Sequence, residues 1–224
     1  ISKRAITTNE TVGNDGIGWI QLNSIQIIDT DNVIVSSREL SSIIKIDDIK
    51  EEPEIEYIIG DPSIWNNTAY SNLVLKQSGE FPIHAGQYSV SYMKDNTLED
   101  GQYYIHMHNN NYGDATSYPE FDFASIEGVG RKGADAENSY YYRYMVDENA
   151  KTVKLEDSFK VPYSKLAGST QDIDGNHIVS SGSAGVFGEY DKDGNLIAEY
   201  KLNADADIAV YRVFKYKMDG YWFN

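Results

Sequence analysis

His106 and His108 stand two residues apart in Gln-Tyr-Tyr-Ile-His-Met-His-Asn-Asn. Residues i and i+2 of a strand share a face, so the two imidazoles project together. Such a pair can ligate a metal, or one ring can act as nucleophile while the other assists. The plain alternative is a surface histidine at a strand end beside a polar loop. If one histidine is active, the favoured position is His108, next to Asn109. Tyr140, Tyr141 and Tyr142 alternate faces, with Tyr141 pointing away from the other two. They read as the core and surface of one strand, or as a stacking platform for an aryl group. Asp29/Asp31, Asp172/Asp174 and Asp191/Asp193 look like the openings of calcium loops. They lack the glycine at the sixth position and the glutamate at the twelfth, so they read as hairpin turns. No metal and no other cofactor is expected.

The elements that must hold these residues are short β runs punctuated by turns. A first unit has strands near 19–28, 32–37, 42–47 and 54–59, the first two joined by Asp29-Thr30-Asp31-Asn32, whose side chains favour a tight turn. A second has strands near 87–93, 102–108, 139–147 and 152–155, and a third near 168–173, 177–181, 186–190 and 196–202. The third carries Asp174-Gly175 and Asp193-Gly194, strong hairpin signals. A further strand is expected over 208–218, turned by Asp219-Gly220 into Tyr221-Trp222-Phe223. Superposing the first unit on the third at a constant offset of about 144 residues places Asn32 on Asn176 and Ile34 on Ile178. The same shift takes Ser36 and Ser37 to Ser180 and Ser181, and Asp47 to Asp191, with Asp147 in the matching place of the second unit.

Repeated four-stranded antiparallel units predict an all-β fold of β-propeller blades, about three to four of them. The lead-in is 1–17; the blades span 18–224, approximately 18–60, 87–158, 167–202 and 207–224, with loop insertions at 61–86 and 109–138. Trp65 and Phe81 are expected to anchor the first insertion, which forms a short helix or an ordered loop. A ring must close to hide its edges, and these blades are too few. Closure is therefore expected from missing N-terminal sequence or a second chain (a homo-oligomer), unless the piece is an open half-ring. The start at Ile1 without methionine fits a removed leader or a longer N-terminal part.

The formal charge of −16 repels nucleic acid and anionic membranes, and both are set aside as partners. An anion site would need strong local donors to overcome that field. With no cysteine, disulfides, thiol catalysis and thiolate metal sites are excluded, although the compartment is not chosen. No run approaches the ~20 apolar residues of a membrane span. Asn66-Asn67-Thr68 and Asn9-Glu10-Thr11 match glycosylation acceptors that only a secretory eukaryotic host would use.

The run Trp19-Ile20-Gln21-Leu22-Asn23-Ser24-Ile25 followed by Ile34-Val35-Ser36-Ser37-Arg38 resembles the bacterial arylsulfate sulfotransferases, which do not use the nucleotide sulfate donor. The resemblance continues through Ile58-Ile59-Gly60-Asp61-Pro62, Gly86-Gln87, the Asn109 region, Tyr144-Met145-Val146-Asp147-Glu148 and Gly175-Asn176-His177-Ile178. It implies the C-terminal part of a six-bladed propeller with an extracellular or periplasmic location. It also implies sulfuryl transfer from a phenolic sulfate ester to a phenol through a sulfated histidine. Further histidines, an asparagine and an arginine would assist around the central channel. Imidazole suits this role as nucleophile and leaving group, and cationic or N–H donors must hold the sulfuryl oxygens.

Departures fall on those positions. Gln21 and Tyr88 stand where the family has histidine, and only Asn109 is kept from Phe-Asp-Asn-Gly. Ser139-Tyr140 replaces Ser-Arg, with Arg143 three positions on, whereas Arg38 survives. His84 can have shifted register with the histidine replaced at Tyr88, and His177 lies inside a strand. The expected channel set is therefore Gln21, Asn23, Arg38, Tyr88, Asn109, Tyr140 and Arg143 around a small aromatic or sulfated molecule, with His108 as the candidate nucleophile. Two other functions stay open: a propeller that has lost its nucleophile and only binds such a ligand, and an extracellular scaffold module.

Overall fold

The structure is a computed structural model that describes residues 20–66, 68–115, 118–119, 121–131, 137–202 and 209–218. The lead-in with its acceptor Asn9, Trp19, the middle residue Asn67 of the second acceptor motif, and the turn after 218 lie outside the described residues.

Among the described residues, three up-and-down antiparallel sheets follow one another along the chain. Blade 1 is β1 (Leu22–Ile27), β2 (Val33–Ser37), β3 (Ser42–Asp47) and β4 (Glu54–Ile59). After the one-turn helix α1 (Pro62–Trp65) and the two-residue β5 (Lys76–Gln77) comes blade 2. It contains β6 (Tyr88–Met93), β7 (Gln102–Asn109), β8 (Asn138–Asp147) and β9 (Thr152–Pro162), with β5 parallel on its outer edge. Blade 3 is β10 (Ser169–Ile173), β11 (Asn176–Ser181), β12 (Val186–Tyr190) and β13 (Leu196–Lys201).

The repeat read from the sequence is a repeat of register. Val33 pairs with Ile46 and Ser37 with Ser42 in blade 1. In blade 3, His177 pairs with Tyr190 and Ser181 with Val186, at the same offset. β9 runs eleven residues, well past the expected Leu155, because it follows β8 along its whole length to Asn138↔Pro162. Residues 209–218, expected as a strand, join no ladder.

Alternation sorts the side chains between blades. Ile34, Ile43, Tyr57 and Ile59 of blade 1 meet Val90, Ile105, Met107, Tyr142 and Tyr144 of blade 2. Tyr141, on the opposite face of β8, packs with Val161, Val179 and Tyr190 toward blade 3. The outward face of blade 1 (Val33, Val35, Ile44, Ile58) is covered by Ile64 and Trp65 of the first insertion and Phe123 of the second. α1 starts where Asp61 Oδ1 accepts from Ser63 N at 2.8 Å, with proline at the first helical position. It delivers Trp65, fully buried, whose Nε1 donates to Ser42 Oγ at 2.9 Å. Phe81 packs against Tyr144 at 5.6 Å between ring centroids. Among the described residues no helix is long and apolar enough to cross a membrane.

Candidate binding site at the hub

The first strand of each blade lies innermost: β1 against β6, and β6 against β10. A left-handed residue stands at or near the start of each: Gln21 (φ 42°) just before β1, Ser89 (φ 56°) second in β6, and Ala167 (φ 58°) two residues before β10. The ladders slip there between Leu22 and Ser24 and between Tyr88 and Ser91. Bulges of this kind re-aim side chains, and these gather polar groups at one end of the hub.

Arg38 sits at the tip of the β2–β3 hairpin, where its N–H donates to Gln21 O at 3.2 Å. Its guanidinium carbon lies 5.7 Å from the Tyr112 ring centroid, and Nη1 is 3.7 Å from Glu39 Oε2. The residue is 8% exposed and its Nε has no hydrogen-bond partner. Tyr88 is buried beside it; burial raises the phenol's pKa, and the nearby Arg38 charge opposes that shift. Asn23 Nδ2 donates to Gln87 O at 2.7 Å, and Gln87 Nε2 in turn bonds Ser36 Oγ, Ser37 O and Ser42 O. Asn23 Oδ1 and Gln87 Oε1 are buried acceptors with no donor. The hub thus offers one guanidinium N–H without a hydrogen-bond partner, on an arginine ion-paired to Glu39, and two unpaired acceptors, an arrangement costly without a ligand or water.

Of the expected channel residues, Asn23, Arg38 and Tyr88 come together here; Gln21 joins them through its backbone carbonyl, and the residue itself is exposed. Asn109 lies behind them: its Oδ1 accepts from Ala85 N at 3.1 Å and Asn111 N at 2.9 Å, fixing the loops that carry Gln87 and Tyr112. Tyr140 is across the ladder from Asn109, its ring 5.7 Å from Tyr142. Arg143 is not at the hub. It lies mid-strand, 3.6 Å from Asp157, and lines a cavity of about 470 Å³ with Asp172, His177 and Lys192 between blades 2 and 3.

All four histidines are buried. His108 and His106 share the face toward blade 3, as their spacing requires. His108 Nδ1 bonds Asn110 Oδ1 at 3.2 Å, its Nε2 has no partner, and its ring closes on Gly168. Burial pushes its pKa down to about 4, against the opposing Asn110 bond, so the ring is neutral at pH 7. His106 Nδ1 bonds Thr170 Oγ1 at 2.9 Å, and its pKa is lowered, mainly by burial. His84 faces Tyr144 Oη at 3.2 Å and is pushed down to about 3 by burial alone. His177 Nδ1 bonds Asp172 Oδ1 at 2.7 Å.

Sequence reasoning missed Gln87, Tyr112, Tyr211 and Arg212 at the hub, and the Asp172–His177 pair. The last had a signal, because the Asp174-Gly175 turn sets Asp172 directly opposite His177. Tyr112, Tyr211 and Arg212 arrive on irregular segments that carry no periodicity.

Radial four-stranded blades converging on a polar hub define an all-β, blade-repeat protein. The chain belongs to the arylsulfotransferase (ASST) family, whose model matches residues 2–219. A search of curated proteins returns no match. Similar solved structures include a functionally unknown protein from Desulfotomaculum acetoxidans, at 14% identity and TM-score 0.40, covering 81% of this chain and 42% of that one. A protein of unknown function from Bacteroides caccae is 12% identical with TM-score 0.32, covering 82% and 62%. Sqt1 of Saccharomyces cerevisiae is 10% identical with TM-score 0.35, covering 82% and 48%. The chain thus spans from 42% to 62% of the length of these structures.

Proposed function

We propose that the hub binds a phenolic sulfate or similar aryl anion, with the anionic oxygens on Arg38 and the ring flanked by Tyr88 and Tyr112. The carrying observation is the buried Arg38 guanidinium, set over the Tyr112 ring beside Glu39 with its Nε N–H left without a hydrogen-bond partner, in a chain of formal charge −16. Burial strengthens a charge-assisted bond to an anion. The orphaned acceptors on Asn23 and Gln87 suit a phenol hydroxyl. In this reading the blades are sectors of a larger propeller, completed in cis or by another chain, acting in the periplasm or outside the cell as the family resemblance implies. Titration calorimetry with 4-nitrophenyl sulfate tests it. Arg38→Gln should weaken binding by about ten- to 150-fold, since a charged hydrogen bond is worth roughly 1.5–3 kcal/mol. Equal binding by the variant rejects the assignment.

A second reading is sulfuryl transfer through His108. Its support is the Nδ1–H bond to Asn110, which leaves the Nε2 lone pair without a donor. Nε2 would attack sulfur as the S–O bond to the aryl group breaks and phenolate leaves. A phenol acceptor, losing its proton, would then attack sulfur and break the N–S bond. The ring is fully buried against Gly168, which favours the binding function for this chain. Nitrophenolate release with a phenol acceptor, abolished in His108→Asn, would support transfer; release at background rejects it.

A further inference from the structure

The cavity of about 470 Å³ between blades 2 and 3 lies toward the end of the blades opposite the hub. β6 and β10 start at the hub and finish at Met93 and Ile173, which line the cavity together with Arg143 of β8. The turns Asp174-Gly175 and Lys192-Asp193 form its rim. Both walls belong to these two blades, so no further sector is needed to build it.

Arg143 brings an unsatisfied fork to the cavity. Its ion pair with Asp157, Nη2 to Oδ2, is 3.6 Å long and beyond hydrogen-bond reach, and its Nε is buried without an acceptor. The guanidinium carbon stands 5.4 Å from the Tyr104 ring centroid, a contact that steadies it. On the blade 3 side, His177 is 4% exposed, and its Nδ1 donates to Asp172 Oδ1. In the neutral ring, Nε2 is then a buried acceptor with no donor. Asp172 is occupied by His177 and Tyr141. Asp174 and Asp193 pair with the exposed lysines Lys217 and Lys192, contacts that contribute little and exchange easily.

A cationic fork on blade 2 thus shares one cavity with acceptors on blade 3. A bare anion suits Arg143, but two rim carboxylates and a chain of formal charge −16 repel it. A bare cation suits the carboxylates, but Arg143 repels it. A zwitterion meets both needs and carries no net charge into the field. We infer that this cavity is a site for a free α-amino acid. The carboxylate lies bidentate on Arg143, and the ammonium reaches His177 Nε2 and the rim carboxylates. Met93 and Ile173 take an aliphatic side chain, and the volume falls within the range of small-molecule sites. This site stands apart from the hub and does not depend on the reading given to it.

Calorimetry of the 224-residue chain with L-leucine, at about pH 8 where an ordinary imidazole is neutral, tests the inference. One equivalent should bind. 4-Methylpentanoate, which lacks the ammonium, and 3-methylbutylamine, which lacks the carboxylate, should each bind at least about tenfold more weakly. Arg143→Gln, its fold checked by circular dichroism, should weaken L-leucine by a similar factor, and Arg38→Gln should leave it unchanged. No binding of L-leucine or glycine overturns the site. Equal binding of 4-methylpentanoate, or displacement of L-leucine by 4-nitrophenyl sulfate, makes the cavity an anion site and overturns the zwitterion. Equal binding by folded Arg143→Gln overturns the placement. The analogue comparison uses the unaltered protein, so it decides the matter even if Arg143→Gln does not fold. Binding of 4-nitrophenyl sulfate lost in Arg38→Gln still upholds the hub reading in every one of these outcomes.

Discussion

Asp172 and His177, directly opposite on β10 and β11, share a 2.7 Å hydrogen bond, and the same carboxylate accepts from Tyr141 Oη of blade 2 at 2.9 Å. One carboxylate therefore ties two blades together. Burial alone would raise its pKa. The His177 bond, the charges of His106 and His177, and the Tyr141 bond outweigh that and hold it below the usual carboxylate value. Asp172→Ala should cost about 2–4 kcal/mol, because it strands both partners in a buried setting. Thermal melting should register a drop of roughly 5–12 °C. A shift within error would mean that the blades are held by apolar packing alone.

His84 gives the protein an acid limb. Its folded pKa of about 3 lies below the ordinary 6.5, so protons favour the unfolded chain throughout that interval. Stability from keeping it neutral is full above pH 6.5 and falls as the pH drops toward 3, by roughly 1.4 kcal/mol per unit. Urea unfolding of His84→Leu between pH 6 and 4 should show a slope smaller by about that amount. An unchanged slope would place the titration elsewhere.

Lys45 is buried, with Nζ 2.8 Å from Glu148 Oε1 and 3.4 Å from Asp47 Oδ1, so it joins blade 1 to blade 2. Lys45→Met should cost about 2–3 kcal/mol by leaving the carboxylates unpaired. Adding Glu148→Gln should cost less than the sum of the two single changes, which a double-mutant cycle by urea unfolding reads directly. Additive losses would show the pair to be uncoupled.

Gly168 has φ 141°, and a Cβ there would stand 2.7 Å from the His108 ring. Gly168→Ala should destabilise by at least about 2 kcal/mol through combined backbone strain and overpacking. It should also displace His108, visible as a shifted imidazole resonance. A neutral substitution would mean that the ring has room to move.

The blades were legible because their evidence is periodic. Asn32, Ile34, Ser36 and Asp47 recur at one offset, and a register that faces apolar neighbours on both sides cannot slip by a residue without turning Ile34 or Ile43 to the wrong face. Asn23, Arg38 and Tyr88 were singled out by resemblance to family motifs rather than by any periodic signal, and they lie near one another because they flank inner strands or a hairpin tip. Arg143 escaped because nearness in sequence to Tyr140 does not fix height along a ten-residue strand; three residues there span roughly 10 Å. Arg212 escaped because its place depends on Ser169 and Gln171 gripping a distant backbone, a contact that no local pattern announces.

Val74 bridges β4 at Ile58, and β5, two residues on, pairs with β9, so one short run staples the outer rims of blades 1 and 2. β13 has no such staple among the described residues. Disassembly should therefore begin with the last sector peeling outward as a cooperative unit, and amides of β12 and β13 should take up deuterium before those of β3 and β8. Tyr211, which reaches Tyr88 and Asn23 O from a segment bonded to blade 3, would leave the hub in that same first step, long before the rest of the molecule comes apart.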